Sequence, residues 1–74
     1  MKIDIDKLIF ERRGEKMTKR SLAKEMVAEG LFKNELSAAN MLQYHRRGDA
    51  KGCDYLLLEF LCRRFDKKIE EIIQ

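Results

Sequence analysis

The chain has 74 residues, 45% of them hydrophobic and 39% charged, with no proline and a net charge of +3. That length supports one small domain, residues 1–74, with a core near the lower limit for folding without disulfides or metal, and the composition excludes disorder and favours helices. No apolar run approaches the roughly 20 residues that span a bilayer, and "MKIDIDKLIF" carries acids where a secretory signal carries bases and a long apolar core, so a cytoplasmic protein with no membrane partner is expected.

Five helices are predicted in chain order. Ile5, Leu8 and Ile9, followed by Arg12, trace one face of the first, with Asp4 or Asp6 near its start and Gly14 placed to end it in the left-handed conformation. Thr18 caps the second, and Met17 before it packs on Leu22 as a hydrophobic staple, with Leu22, Ala23, Met26 and Val27 forming the buried side. Gly30 ends it. "LFKNELS" then offers two caps for the third helix, Asn34 and Ser37, so its start is open by a turn, while Gly48 and Gly52 in "GDAKG" mark its end.

Asp54 is placed to cap the fourth helix, "YLLLEFLCRRF". Its Leu57, Leu58, Leu61, Cys62 and Phe65 form a stripe that Leu56 and Phe60 widen, as expected of a central helix covered on most sides. Asp66 is placed to cap a short final helix, with Ile69, Ile72 and Ile73 turned inward or toward a partner and Lys67 and Glu71 at the i, i+4 spacing of a surface pair. Short, closely linked helices of this kind predict an orthogonal all-α domain.

Chemistry concentrates in "SAANMLQYHRRGDAKG". At 100° per residue Ala38, Met41, Leu42 and His45 share an inward face, while Asn40, Gln43 and Arg47 fall opposite them with Tyr44 at their flank. Amides and guanidinium groups on one exposed ridge suit base edges in a DNA major groove, although a solvated helix face has the same composition. The charge distribution points the same way: residues 12–52 hold ten bases against five acids, whereas the segments on either side are each net −1. Thr18, Lys19 and Arg20 at the start of the second helix, with Arg46, Arg47 and Lys51 at the end of the third, are candidates for phosphate contacts.

The order of these signals resembles the lambda-repressor-like, Cro/C1-type (XRE) helix-turn-helix family over most of the chain. "MTKRSLA" is similar to that family's "LTQEELA", "LQYHRRG" to the end of its third helix, and "LEFLCRRFDKKIEEI" to its closing "LLKLAKALGVSLDEL". The resemblance implies a compact five-helix helix-turn-helix domain. Aligned back from Gly48, it puts the base-contacting positions on Ala39, Asn40, Gln43 and Tyr44. Two departures stand out. The connection "VAEGLFKNELS" is several residues longer than the family's tight turn, and Arg46 stands where the family often has a glutamate that pairs with a first-helix arginine. Arg12 and Arg46 are therefore expected to repel if they lie close, or both to face phosphate.

Other residues have plain explanations. The lone His45 is expected to be a packed imidazole, Met17, Met26 and Met41 core filler, Cys53 and Cys62 reduced thiols, and Arg63 and Arg64 groups without functional role. There is no phosphate loop, metal-ligand set or nucleophile–base pair, so no enzyme and no cofactor are implied. The expected function is sequence-specific binding of double-stranded DNA by a small transcriptional regulator. One unit reads few base pairs, so a homodimer on DNA is expected, its copies about 34 Å apart, with Ile72 and Ile73 either dimer contacts or core closure. The alternative is a protein-interaction module on the same scaffold, an antirepressor or assembly factor, in which Phe32, Leu36, Leu42 and Tyr44 would form an exposed apolar patch.

Overall fold

The computed structural model describes residues 2–48 and 55–73. Among them run five α-helices, α1 (Ile5–Glu11), α2 (Lys19–Ala28), α3 (Glu35–Arg47), α4 (Tyr55–Phe65) and α5 (Ile69–Ile72), with a 3-10 turn, Arg13–Glu15, after α1. The described residues contain no strand beyond a single antiparallel bridge between Ile3 and Ile73. The fold is all-α, as the composition and periodicity predict. Its radius of gyration, 11.2 Å, matches the roughly 11 Å of a compact chain of this length.

Local signals set most helix ends. Asp4 caps α1, its carboxylate accepting from the Lys7 N–H at 3.1 Å. At α2 the Ser21 N–H donates to Thr18 Oγ1 at 3.1 Å and the Thr18 N–H donates to Ser21 Oγ at 2.8 Å, a reciprocal cap with serine in the place of the usual Glu or Gln. Met17 and Leu22 on either side of this cap are both buried in the core. Gly30, at φ 80°, ends α2: its N–H reaches Val27 O at 2.9 Å and that of Leu31 reaches Met26 O at 3.0 Å, the bond pair of a left-handed helix stop. Asn34 caps α3, its side-chain oxygen accepting from the Ser37 N–H at 2.8 Å. Gly48, also at φ 80°, closes that helix. Asp54, Cys53, Gly52 and Lys51 lie outside the described residues.

Four expectations are corrected. The left-handed residue after α1 is Lys16, φ 60°, because the chain continues into the 3-10 turn through Gly14 before reversing. Asp66 does not cap α5. It is left-handed itself, φ 51°, and ends α4 as the Lys67 N–H bonds back to Cys62 O at 3.0 Å, a role that aspartate tolerates better than most residues. Lys67 pairs with Glu11 of α1 at 3.2 Å rather than with Glu71, whose carboxylate turns back to the Lys68 N–H at 3.1 Å. Leu56 leaves the α4 stripe and is 63% exposed, so that helix is covered on one side only.

The core joins Ile3, Ile5 and Leu8 to Leu22, Ala23 and Met26 of α2, Ala38 and Leu42 of α3, and Leu57, Leu58, Phe60, Leu61 and Phe65 of α4, with Ile72 as a lid. Burying each large aliphatic or aromatic side chain contributes about 1.5–3 kcal/mol, most of what holds so short a chain together. Ile72 is 2% exposed and so closes the core rather than offering a dimer contact, and Ile73 is half-buried against the Ile3 bridge. Around this core the C-terminal arginines tie helices together: Arg64 to Glu25 at 2.6 Å and Glu15 at 3.3 Å, Arg63 to Glu29 at 3.0 Å. Among the described residues no helix is long and apolar enough to cross a membrane.

Candidate nucleic-acid interface

The cap at Asn34 and the stop at Gly48 bound a helix α3 of 13 residues. Its inner face is apolar. Ala38 and Leu42 are buried, Met41 is half-buried against the core, and His45 is 1% exposed with its carbonyl accepting from the Ile3 N–H at 2.9 Å. His45 is thus the packed imidazole expected of it, and the N-terminal segment holds the end of α3 in place.

The outer face follows from the inner one. With Ala38 as zero, Leu36, Asn40, Gln43 and Arg47 fall within about 60° of one another on the opposite side. Ala39, Asn40, Tyr44 and Arg47 are exposed, and Gln43 is half-buried. The Gln43 carboxamide lies between two guanidinium groups: its oxygen accepts from Arg46 Nη1 at 3.4 Å in one orientation, and with the amide turned over it accepts from Arg47 Nε and Nη2, both at 3.2 Å. Leu36, 72% exposed, stands at the N-terminal end of this row. Once Asn34 is the cap, Leu36 is helical and in line with Asn40.

The flanking cations are close by, and two of them share a carboxylate. Asp6 reaches across from α1 to Arg46 Nε at 2.6 Å and to Lys19 Nζ at 3.2 Å. The hydrogen bond from Arg46, aided by Lys19, outweighs partial desolvation and holds the Asp6 carboxyl below its ordinary range. Arg20 is almost fully exposed, 4.0 Å from Glu35. Four cations, Lys19, Arg20, Arg46 and Arg47, therefore stand with two carboxylates, so the border of α3 remains net positive. Thr18 is exposed at the start of α2, with its hydroxyl oxygen accepting the Ser21 cap bond. Lys51 lies outside the described residues.

Arg12 and Arg46 are held by different partners. Arg12 donates to Phe65 O at 3.2 Å and leans over the Phe65 ring, while Arg46 is taken by Asp6. The partner that the resemblance assigns to a glutamate within α3 is thus supplied, with reversed sign, from α1. Sequence reasoning missed Asp6, because forty residues separate it from Arg46 and nothing local to either announces the pair.

The apolar patch foreseen for a protein-binding module is reduced. Leu42 is buried and Phe32 half-buried, leaving Leu36 and the 48%-exposed Tyr44. Lys2, Asp4, Asp6, Gln43, Arg46 and Arg47 border a shallow polar cleft beside the ridge, of a polarity that does not suit an apolar ligand. No group of three or more His, Cys, Asp or Glu side chains suited to a metal ion occurs among the described residues. Comparison with known proteins gives no match to any family model, curated protein or solved structure.

Proposed function

We propose that the chain is a sequence-specific double-stranded DNA-binding transcriptional regulator that lays α3 in the major groove. The observation that carries this reading is the outward row Leu36, Asn40, Gln43 and Arg47, bordered by cations from both α2 and the end of α3. Asn40 and Gln43 suit the paired donor and acceptor of adenine, Ala39 and Leu36 suit a thymine methyl group, and Tyr44 reaches base or sugar at the edge of the row. Lys19, Arg20, Arg46, Arg47 and Lys51, with the Thr18 hydroxyl and the first N–H groups of α2, take phosphates and set the register. Two copies bind half-sites one turn apart. Lys19 and Arg46 contact phosphate in competition with Asp6, so their contribution is smaller than that of Arg20 or Arg47.

Two measurements test this reading. Random duplex DNA should retain the protein at about 50 mM salt and release it by about 200 mM, because every phosphate contact displaces a counterion. At a site selected from a random duplex library, Gln43→Ala should cost about 1–3 kcal/mol and leave random-sequence binding nearly unchanged. An unaltered ratio of specific to random binding would remove Gln43 from the readout.

The second reading, a protein-binding module, draws on exposed Leu36 and Tyr44. It predicts no salt-sensitive retention on DNA at any sequence, so the first measurement chooses between the two.

A further inference from the structure

The second exposed surface lies on α4. Leu57, Leu58, Phe60, Leu61 and Phe65 fill an arc of about 160° toward the core, and the arc left outside carries Tyr55, Glu59 and Arg63 in a row, one turn apart. Leu56 borders the row on one side and half-buried Cys62 on the other. Tyr55 is 72% exposed, and Ile69 of α5, 43% exposed, borders the same shallow hollow as Tyr55, Glu59, Cys62 and Arg63. Three of the six large exposed hydrophobic side chains among the described residues therefore gather here, on helices that the DNA reading does not use.

The charges on this face indicate what covers it. Glu59 precedes Arg63 by one turn, the favourable order for an ion pair within a helix, yet Arg63 turns away to Glu29 at 3.0 Å. Glu59 has no ion pair among the described residues. Along the helix the row thus reads apolar, negative, positive, and a row of that kind is complementary to its own reverse. Set antiparallel to a second copy about a two-fold axis, each Glu59 meets the Arg63 of the other copy. Tyr55 and Leu56 of each then overlie the end of α4 and the start of α5 in the other, where Ile69 offers an apolar partner.

We propose that this face is a homodimer surface: two copies of the chain pair α4 against α4, antiparallel, with two crossed Glu59–Arg63 ion pairs beside the axis and Tyr55, Leu56 and Ile69 sealing each end. A helix of 11 residues is only about 16 Å long, so the interface is small and the dimer weak and reversible. The proposal does not depend on DNA binding and is tested without it.

Sedimentation equilibrium of the whole chain from about 1 μM to 1 mM should show a monomer–dimer transition. Glu59→Arg places arginine against arginine and Arg63→Glu places glutamate against glutamate, so each variant alone should need about tenfold more protein to associate. An equimolar mixture of the two restores two ion pairs, one between the unsubstituted Arg63 and Glu59 and one, with its signs exchanged, between the substituted positions, and should associate as well as the parent chain. Arg63→Glu also faces Glu29, so helix content and melting are followed for every variant, and Tyr55→Lys, at a more exposed position, provides an independent disruption. A parent chain monomeric throughout the range, variants that associate like the parent, or a mixture that associates no better than its components would each overturn the proposal.

Discussion

Arginine doublets occur at the ends of two helices, Arg46–Arg47 in α3 and Arg63–Arg64 in α4, and they are put to opposite uses. In α4 each guanidinium meets carboxylate: Arg63 has Glu29, and Arg64 has Glu25 and Glu15, with Arg64 only 28% exposed. In α3 Arg46 is met by Asp6, but Arg47 remains exposed with a neutral amide, Gln43, as its neighbour. The first doublet to reach its acids becomes an inter-helix tie. The second keeps, at Arg47, a charge with no ion pair among the described residues, at the edge of the ridge. What a pair of basic residues does thus depends on how much acid the fold brings to it.

The largest effect expected from this contrast is on stability. Arg64→Ala breaks a partly buried network of two carboxylates and should cost about 1–2 kcal/mol, lowering the melting temperature by about 4–8 °C per kcal/mol. Arg47→Ala should leave the thermal melt nearly unchanged. Its effect should appear on DNA instead, as about three- to tenfold weaker binding to every sequence and a salt dependence shallower by about one unit of log–log slope. An Arg47→Ala chain that melts early but binds normally would reverse the two roles.

Asp6→Asn gives a smaller change of opposite sign on DNA. Freed of the shared carboxylate, Lys19 and Arg46 should raise duplex affinity by a few-fold and steepen its salt dependence. Folding stability should fall by less than about 1 kcal/mol at neutral pH, since both ion pairs are half-exposed. The Asp6 carboxyl is held below its ordinary value in the folded state, so its contribution is complete above about pH 4 and disappears as pH falls through the lower folded value. Melts of parent and variant should therefore differ at pH 7 and converge in strong acid.

Periodicity and the two glycine helix stops, Gly30 and Gly48, were the legible part of this fold. Ala38, Leu42 and His45 point inward because three- and four-residue spacing leaves them no other common side, and Asn40 and Arg47 point outward for the same reason. The uncertain start of α3 had a simple origin: Asn34 and Ser37, the rival caps, are acceptor and donor of one capping bond, so each carries half of the signal. Asp66 misled because a short polar side chain suits both a helix start and a left-handed helix stop. The ridge was legible and its electrostatics were not. Whether Arg46 faces solvent or a carboxylate depends on how α1 crosses α3, a packing outcome set by Ile3, Ile5 and Leu8 entering the core rather than by any residue near Arg46. The exposed row on α4 escaped for a similar reason: a dense apolar stretch reads as covered on most sides until its neighbours are counted.

Lys16 carries a consequence of its own. A lysine at φ 60° holds a conformation that costs on the order of 1–2 kcal/mol for a side chain bearing Cβ, a cost absent for glycine. Glycine gives back part of that gain through a freer unfolded chain, so Lys16→Gly should still raise thermal tolerance by a few degrees. Such a hardened variant would be a convenient background for weakening substitutions elsewhere, because the corner it alters belongs neither to the ridge of α3 nor to the row on α4.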